Sequence, residues 1–378
     1  MLGTPAELDI VATLLTSKPK YLRVDILPYG GDWRAGSPNL FSHIRKVAPR
    51  LLKFDLQGGT TGHRATSLSR RHFEPAFTAM SALSHVSLPG GLLSSSTLLE
   101  LSTLTALRHL SVVDTSKLYE LCGTDSWPTF DPHAFLHLES LTLDGDVTST
   151  TACIAALGMF PSRLEVNGSL ADETISLQGL TKRIAAVGGK LVSIAIRMLS
   201  TNDKADVDFA VRWEDITALY TCSELRTFEL SVQIHAMIAV SDMDLLQMSQ
   251  GWPALESFRF LWRQSPWGFI PSGLRHTDSL TIQGILACSV RMPKLHAVDI
   301  SVVNFTFPDE LAVLDAPLES LTVRWPTVHS AIQLASILAL ACPSLSIHGL
   351  PETVLKWLPS VRRKFSSIAQ WPPSGISQ

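Results

Sequence analysis

The chain has 378 residues, with 31 Lys and Arg against 34 Asp and Glu and a formal net charge of −3. Hydrophobic residues make up 46% and charged residues 17%, so apolar surface is ample for a core and a disordered chain is excluded. The near-balance of charge argues against nucleic-acid binding, which needs clustered, uncompensated cations.

The opening stretch, MLGTPAELDIVATLLTS, lacks the basic start of an export signal and carries Glu7 and Asp9 among its apolar residues. It is expected to form an N-terminal helical cap over residues 1–20. From residue 21 one pattern recurs: an apolar residue, two others, an apolar residue, one other, an apolar residue. It reads Leu51-Leu52-Lys53-Phe54-Asp55-Leu56, then starts again at Leu83, Leu107, Leu138, Leu191, Leu225, Leu255, Leu295 and Leu318. Weaker copies start at Tyr21, Pro161 and Cys342, making twelve in all, spaced on average about 29 residues apart.

Helical segments are expected between the copies at residues 75–80, 150–159, 214–220, 242–248, 282–290 and 331–341. Ser149 with Thr150, and Ser241 with Asp242, are helix-start residues, while Gly188-Gly189 and Gly251-Trp252-Pro253 are stops. Strand, loop, helix and turn at this period predict an α/β leucine-rich repeat solenoid, a horseshoe with parallel strands on the concave face and helices on the convex face. The solenoid is expected over residues 21–350, closed by a C-terminal capping helix over 351–370 in which Trp357 and Leu358 face inward. A flexible tail over 371–378 follows.

The apolar run from Ala331 to Cys342 is about a dozen residues, short of the roughly 20 that cross a membrane. The five cysteines, Cys122, Cys153, Cys222, Cys288 and Cys342, lie far apart without a CxxC pair and read as reduced core thiols. A soluble protein of the cytoplasm or nucleus, without membrane association, is expected.

Residues between the strand core positions should face outward, because side chains alternate with period two. The outward set is polar and rich in hydroxyls, with six basic and six acidic residues, which suits a protein-binding face. Glu229, Arg259, Asp299 and Arg324 are its charged candidates for partner contact. Trp33, Trp127, Trp262, Trp267 and Trp325 each follow a strand. Trp262 and Trp267 lie in the longest gap between copies, and Trp and Arg are enriched where binding energy concentrates. The competing role for these rings is to cap the ends of the core. His85 and His109 hold equivalent places in adjacent copies and are a weak metal candidate pair, as no third ligand stands in register. His133 and His137, at helical spacing, lack the Glu of a helical zinc motif. No nucleophile elbow, phosphate loop or dinucleotide fingerprint occurs, so neither catalysis nor a cofactor is expected.

The repeat phrases, together with Met292-Pro293-Lys294-Leu295 and Cys342-Pro343-Ser344-Leu345 ahead of strands, resemble leucine-rich repeat proteins of the long, helix-containing type. The likeness is to the leucine-rich region of fungal F-box-like proteins and covers residues 20–370. Two features depart from it. The Asn or Cys that follows the strand in that family is replaced by Gly59, Gly91, Thr115, Asp146, Gln233 and Arg263, and an N-terminal F-box is not visible. Leu350-Pro351-Glu352 imitates the opening of one but stands at the wrong end of the chain and reads as the start of the capping helix. The resemblance implies a non-catalytic protein–protein recognition module, the substrate-receptor part of an F-box-type (SCF) ubiquitin ligase. Its partners would be a cullin-ligase adaptor and an unknown substrate, and the chain would be monomeric when alone. The alternatives are a free-standing leucine-rich scaffold or inhibitor unrelated to ubiquitin, and, further off, a leucine-rich GTPase activator.

Overall fold

The computed structural model describes residues 19–26, 42, 44–46, 48–58, 74–90, 93, 95–115, 130, 134–158, 161–170, 177–200, 210–233, 237–262, 280–301, 318–324, 335–336, 339, 346–348 and 356–360. The chain divides into two compact units. One is Met1–Leu191 with Ile196–Asn202, the other Val192–Ala195 with Asp203–Gln378.

In the first unit the strands are β1 (Tyr21–Ile26), β2 (Lys53–Gly58), β3 (His85–Pro89), β4 (His109–Val113), β5 (Ser140–Asp146) and β6 (Arg163–Leu170), with β7 (Ser193–Ser200) from Ile196 onward, its first three residues belonging to the other unit. They lie side by side in chain order, and β1 through β6 pair in parallel. Helices α1 (Ser95–Ser102), α2 (Val147–Leu157) and α3 (Leu177–Val187) connect them. The segment Glu74–Ala79, expected as α-helix, is instead a 3-10 helix.

Alternation puts Phe54, Leu56, Val86, Leu88, Leu110, Val112, Leu141, Leu143, Leu164 and Val166 into the core, each at most 3% exposed. This is the period-two face that the sequence announces, backed by buried Leu98, Leu101, Ile154, Leu180 and Ile184 of the helices. α2 starts one turn earlier than Ser149 and Thr150 suggested. Asp146 is its N-cap, accepting from the Ser149 backbone N–H at 2.8 Å, and Gly158 ends it in the left-handed conformation at φ 64°.

The second unit carries β8 (Ala210–Arg212), β9 (Thr227–Gln233), β10 (Met237–Ala239), β11 (Ser257–Trp262), β12 (Ala297–Ser301), β13 (Ser320–Arg324) and β14 (Ser346–His348). Parallel pairing runs β9-β11-β12-β13-β14, while β8 and β10 form a separate two-stranded sheet that the repeat pattern did not foretell. Helices α4 (Asp242–Gly251) and α5 (Ile282–Arg291) stand where expected, but the 214–220 segment is two 3-10 turns, Trp213–Asp215 and Thr217–Thr221. An aromatic cluster fills this core. Trp252, fully buried, meets Tyr220 edge-on at 5.2 Å and Phe228 at 4.7 Å between ring centres, and donates its indole N–H to Leu219 O at 2.8 Å.

Two recurring backbone devices set the repeat. One is a turn in which the first leucine of a copy donates to the carbonyl three residues back, as from Leu83 to Met80, Leu107 to Leu104, Leu255 to Trp252 and Leu295 to Met292. Pro253 and Pro293 occupy its second position, where a fixed φ favours a turn. The other is a carbonyl that receives two N–H groups of the next copy. Leu52 O takes Ser84 and His85, Ser84 O takes Arg108 and His109, and Arg226 O takes Glu256 and Ser257. These shared acceptors lock register at the start of each strand.

Helices α4 and α5 are joined at their starts. Ser241 and Asp244 form a capping box on α4. The next residue, Asp242, reaches to the neighbouring helix and accepts from the Thr281 N–H at 2.8 Å and the Thr281 hydroxyl at 2.7 Å. Thr281 is itself the N-cap of α5, accepting from the Gly284 N–H at 2.9 Å. A methyl group on Gly284 would collide with the Asp242 carboxylate, so glycine is required by close approach.

Register corrects the two end copies. Leu22 pairs with Phe54 and Val24 with Leu56, so the first copy starts two residues earlier than the pattern at Tyr21 indicated. Ile347 pairs with Leu321, which moves the last copy two residues later than Cys342 indicated. A slip of two preserves the inward and outward alternation, so hydrophobicity alone cannot detect it.

At the C-terminal end, Leu358 is buried but Trp357 is 45% exposed, against the expectation that both face inward. Neighbours on a helix point about 100° apart, so only one of them can face a core squarely. Residues 1–18 and 361–378, with most of the expected caps and the tail, lie outside the described residues. No helix among the described residues is long and apolar enough to cross a membrane.

Candidate functional site

The outward positions form rows across the strands. In the first unit the first row runs Tyr21, Lys53, His85, His109, Ser140 and Arg163, all in direct register. The next runs Arg23, Asp55, Ser87, Ser111, Thr142 and Glu165. The corrected register thus puts Arg23 beside Asp55, and their charged groups lie 3.8 Å apart.

His85 and His109 are brought together as expected. Their rings stack with centres 4.1 Å apart and planes 23° from parallel. Stacked imidazoles point their lone pairs side by side rather than at one point, and no group of three or more metal-binding side chains occurs among the described residues. The Ser84 hydroxyl donates to Leu52 O at 3.0 Å and lies 2.8 Å from His85 Nδ1. With its one hydrogen committed, Ser84 accepts from Nδ1, which leaves His85 Nε2 as the open basic nitrogen. Burial, then the neighbouring His109 and Lys53, lower the His85 pKa, against an opposing pull from Glu139.

The carboxylates around this row are engaged. Arg108 pairs with Glu139 at 3.5 Å and also donates to the Thr105 and His137 carbonyls. Arg197 pairs with Glu165, and Asn167 donates to Asp144 at 2.6 Å. Burial raises the Asp144 carboxyl despite that hydrogen bond. A groove of about 750 Å³ opens beyond the strand starts, with Arg108, His137, Glu139, Gly158, Ser162 and Lys190 in its lining. His137 is exposed there, and His133 lies outside the described residues.

In the second unit three of the charged candidates form one cluster. Glu229, Arg259 and Asp299 stand in register on β9, β11 and β12. The Arg259 guanidinium reaches Glu229 at 3.2 Å and Asp299 at 3.2 Å. Sequence spacing placed them in one row but did not signal that they pair with one another. Arg324 pairs through its backbone with Ser301 at the end of β13, and its side chain lies outside the described set.

Trp262 is the last residue of β11, opposite Val232, in the same alternating series as buried Phe258 and Phe260. It thus lies within the strand rather than after it. Its side chain, and Trp33, Trp127, Trp267 and Trp325 entirely, are outside the described residues. Of the cysteines, Cys153, Cys222 and Cys288 are buried thiols, and burial pushes the Cys288 thiol up to about 12.

No protein-family model matches the chain, and no curated protein matches its sequence. Among solved structures, it is similar to that of the Rad7 and Elc1 complex in yeast, at 14% identity and a TM-score of 0.32, covering 92% of this chain and 88% of the other. It is also similar to the TLR13–ssRNA13 complex, at 13% identity and a TM-score of 0.28, covering 91% of this chain and 62% of the other. The leucine-rich α/β stack rests on the strand register itself and needs neither neighbour.

Proposed function

We propose that the chain is a non-catalytic protein-recognition module that reads its partners across the outward rows of its strands. The observation carrying this reading is the register. It assembles polar side chains from as many as six strands into continuous rows, a surface broad enough to meet another protein. The finer proposal is the substrate-receptor part of an F-box-type ubiquitin ligase, acting in cytoplasm or nucleus. Its support is the sequence resemblance.

The test is affinity purification of the tagged chain from its own cells, compared with Thr142→Arg and Thr322→Arg, which add bulk and charge to the outward rows of the two units. Recovery of a cullin and its small F-box-binding adaptor supports the ligase reading. A different stoichiometric partner, without the cullin, moves the chain to a free-standing scaffold or inhibitor. Undiminished capture by both variants, with unchanged melting temperatures, would remove the outward rows as the binding face.

A further inference from the structure

The first row of the first unit differs from its surroundings in charge. Asp55, Glu139 and Glu165 each have an arginine partner, in Arg23, Arg108 and Arg197. Lys53 and Arg163, by contrast, have no carboxylate partner among the described residues, and both are exposed. Lys53 lies only over the Tyr21 ring, 5.1 Å from its centre. Between these two cations the row holds the stacked, part-exposed imidazoles, and protonation of His85 adds to its charge. The row therefore keeps an uncompensated positive charge that rises on protonation, although the chain as a whole is slightly acidic.

Its dimensions select a ligand shape. Lys53 and Arg163 are four strand spacings apart, about 19 Å, and the histidine pair is centred about 7 Å from Lys53 and about 12 Å from Arg163. An extended peptide advances about 3.3 Å per residue, so carboxylates at its first, third and seventh positions would reach Lys53, the histidines and Arg163 in turn.

We propose that Lys53, His85, His109 and Arg163 form a docking strip for an extended acidic segment of a protein partner, and that it grips more tightly as the pH falls. The proposal rests on the recognition-module reading and names the chemistry of one contact within it. Burial, then the neighbouring His109 and Lys53, lower the His85 pKa and so favour its neutral form. A bound carboxylate reverses that balance and favours the imidazolium, so binding takes up protons. Affinity gains as the pH drops from about 8 to about 6, before glutamates themselves protonate near pH 4.3.

The experiment uses the full chain and a fluorescein-labelled heptapeptide with glutamates at positions one, three and seven and Ser or Gly elsewhere, against the same peptide with glutamines. The glutamate peptide should bind about fivefold more tightly at pH 6 than at pH 8, the effect between those values of a one-unit rise in an imidazole pKa on binding. The His85→Gln/His109→Gln variant should bind with that pH slope removed, and Lys53→Glu/Arg163→Glu should lose binding at both values. Calorimetry of the unmodified chain in two buffers of different ionisation enthalpy should show net proton uptake on binding, a readout independent of how the variants fold. Equal binding of the glutamine peptide, no binding of either peptide, or zero proton uptake would overturn the strip. If the strip fails while Thr142→Arg still reduces partner capture, the recognition module stands without it; if capture also fails to respond, the broader reading falls.

Discussion

Gly284 offers a substitution whose sign depends on one contact. Replacing glycine by alanine in a helix ordinarily stabilises by up to about 1 kcal/mol. At Gly284 the new methyl would occupy the space of the Asp242 carboxylate, which holds the Thr281 N–H and hydroxyl at 2.8 and 2.7 Å. Moving that carboxylate sacrifices at least one charge-assisted hydrogen bond, worth about 1.5–3 kcal/mol, at the favourable N-terminal end of α5. The loss exceeds the propensity gain, so Gly284→Ala should destabilise the protein by about 1–2 kcal/mol. The assay is urea unfolding followed by tryptophan fluorescence, which reports on the second unit through buried Trp213 and Trp252. It should be run on Gly284→Ala, Asp242→Ala and the double variant. With Asp242 already truncated there is nothing to displace, and Gly284→Ala should then stabilise by up to about 1 kcal/mol. A stabilising effect in the unmodified chain, or the same sign in both backgrounds, would refute the reasoning.

Trp252→Ala should cost about 3–5 kcal/mol through the cavity it opens, whereas Trp252→Phe should cost only about 1–2 kcal/mol. The Leu219 carbonyl that loses the indole N–H still receives the Cys222 N–H at 2.9 Å, and equal costs for the two variants in urea unfolding would contradict this. Cys288, with its thiol near 12 and buried against Leu245 O, should resist alkylation at pH 8 in the native protein and react in denaturant, as peptide mapping would reveal. Burial raises Asp144 in the folded state, so its ionisation opposes folding at neutral pH, and that opposition fades as the pH falls through the folded value. Asp144→Asn, which can still accept from Asn167, should raise the melting temperature at pH 7 but not at pH 3; the reverse order would show that the charged form is the stabilised one.

The repeat was legible because its signal is redundant: each copy puts apolar residues at fixed offsets, and several copies agree. Strands β2 to β6, β9 and β11 to β13 fall where the pattern sets them, with matched register. The end copies misled because Tyr21 and Cys342 are poor first positions, and a slip of two leaves the alternation intact. The helices were less legible. Leu177–Val187 was not singled out even though Leu177, Leu180 and Ile184 follow helical spacing, and the 3-10 turns around Trp213 and Thr217 carry no periodic signal over so few residues. Asp146 was noted as a substitute for the family's post-strand Asn but serves as a helix cap, a role that its side-chain oxygens permit in either setting.

The outward face shows a different limit. Composition gives six cations and six carboxylates, an apparently neutral surface, and spacing assigns them to rows. Neither says which charges cancel, because cancellation depends on neighbours a full repeat away in sequence. Glu229, Arg259 and Asp299 lie 30 and 40 residues apart yet form one paired cluster that leaves a net negative charge in its row. Lys53 and Arg163, equally ordinary in the sequence, stand without carboxylate partners among the described residues on either side of two stacked imidazoles. A partner meets the charge left after pairing rather than the formal count. For the Lys53 to Arg163 row that remainder is positive and proton-dependent, and it points to an acidic ligand on a chain whose own net charge would suggest the opposite.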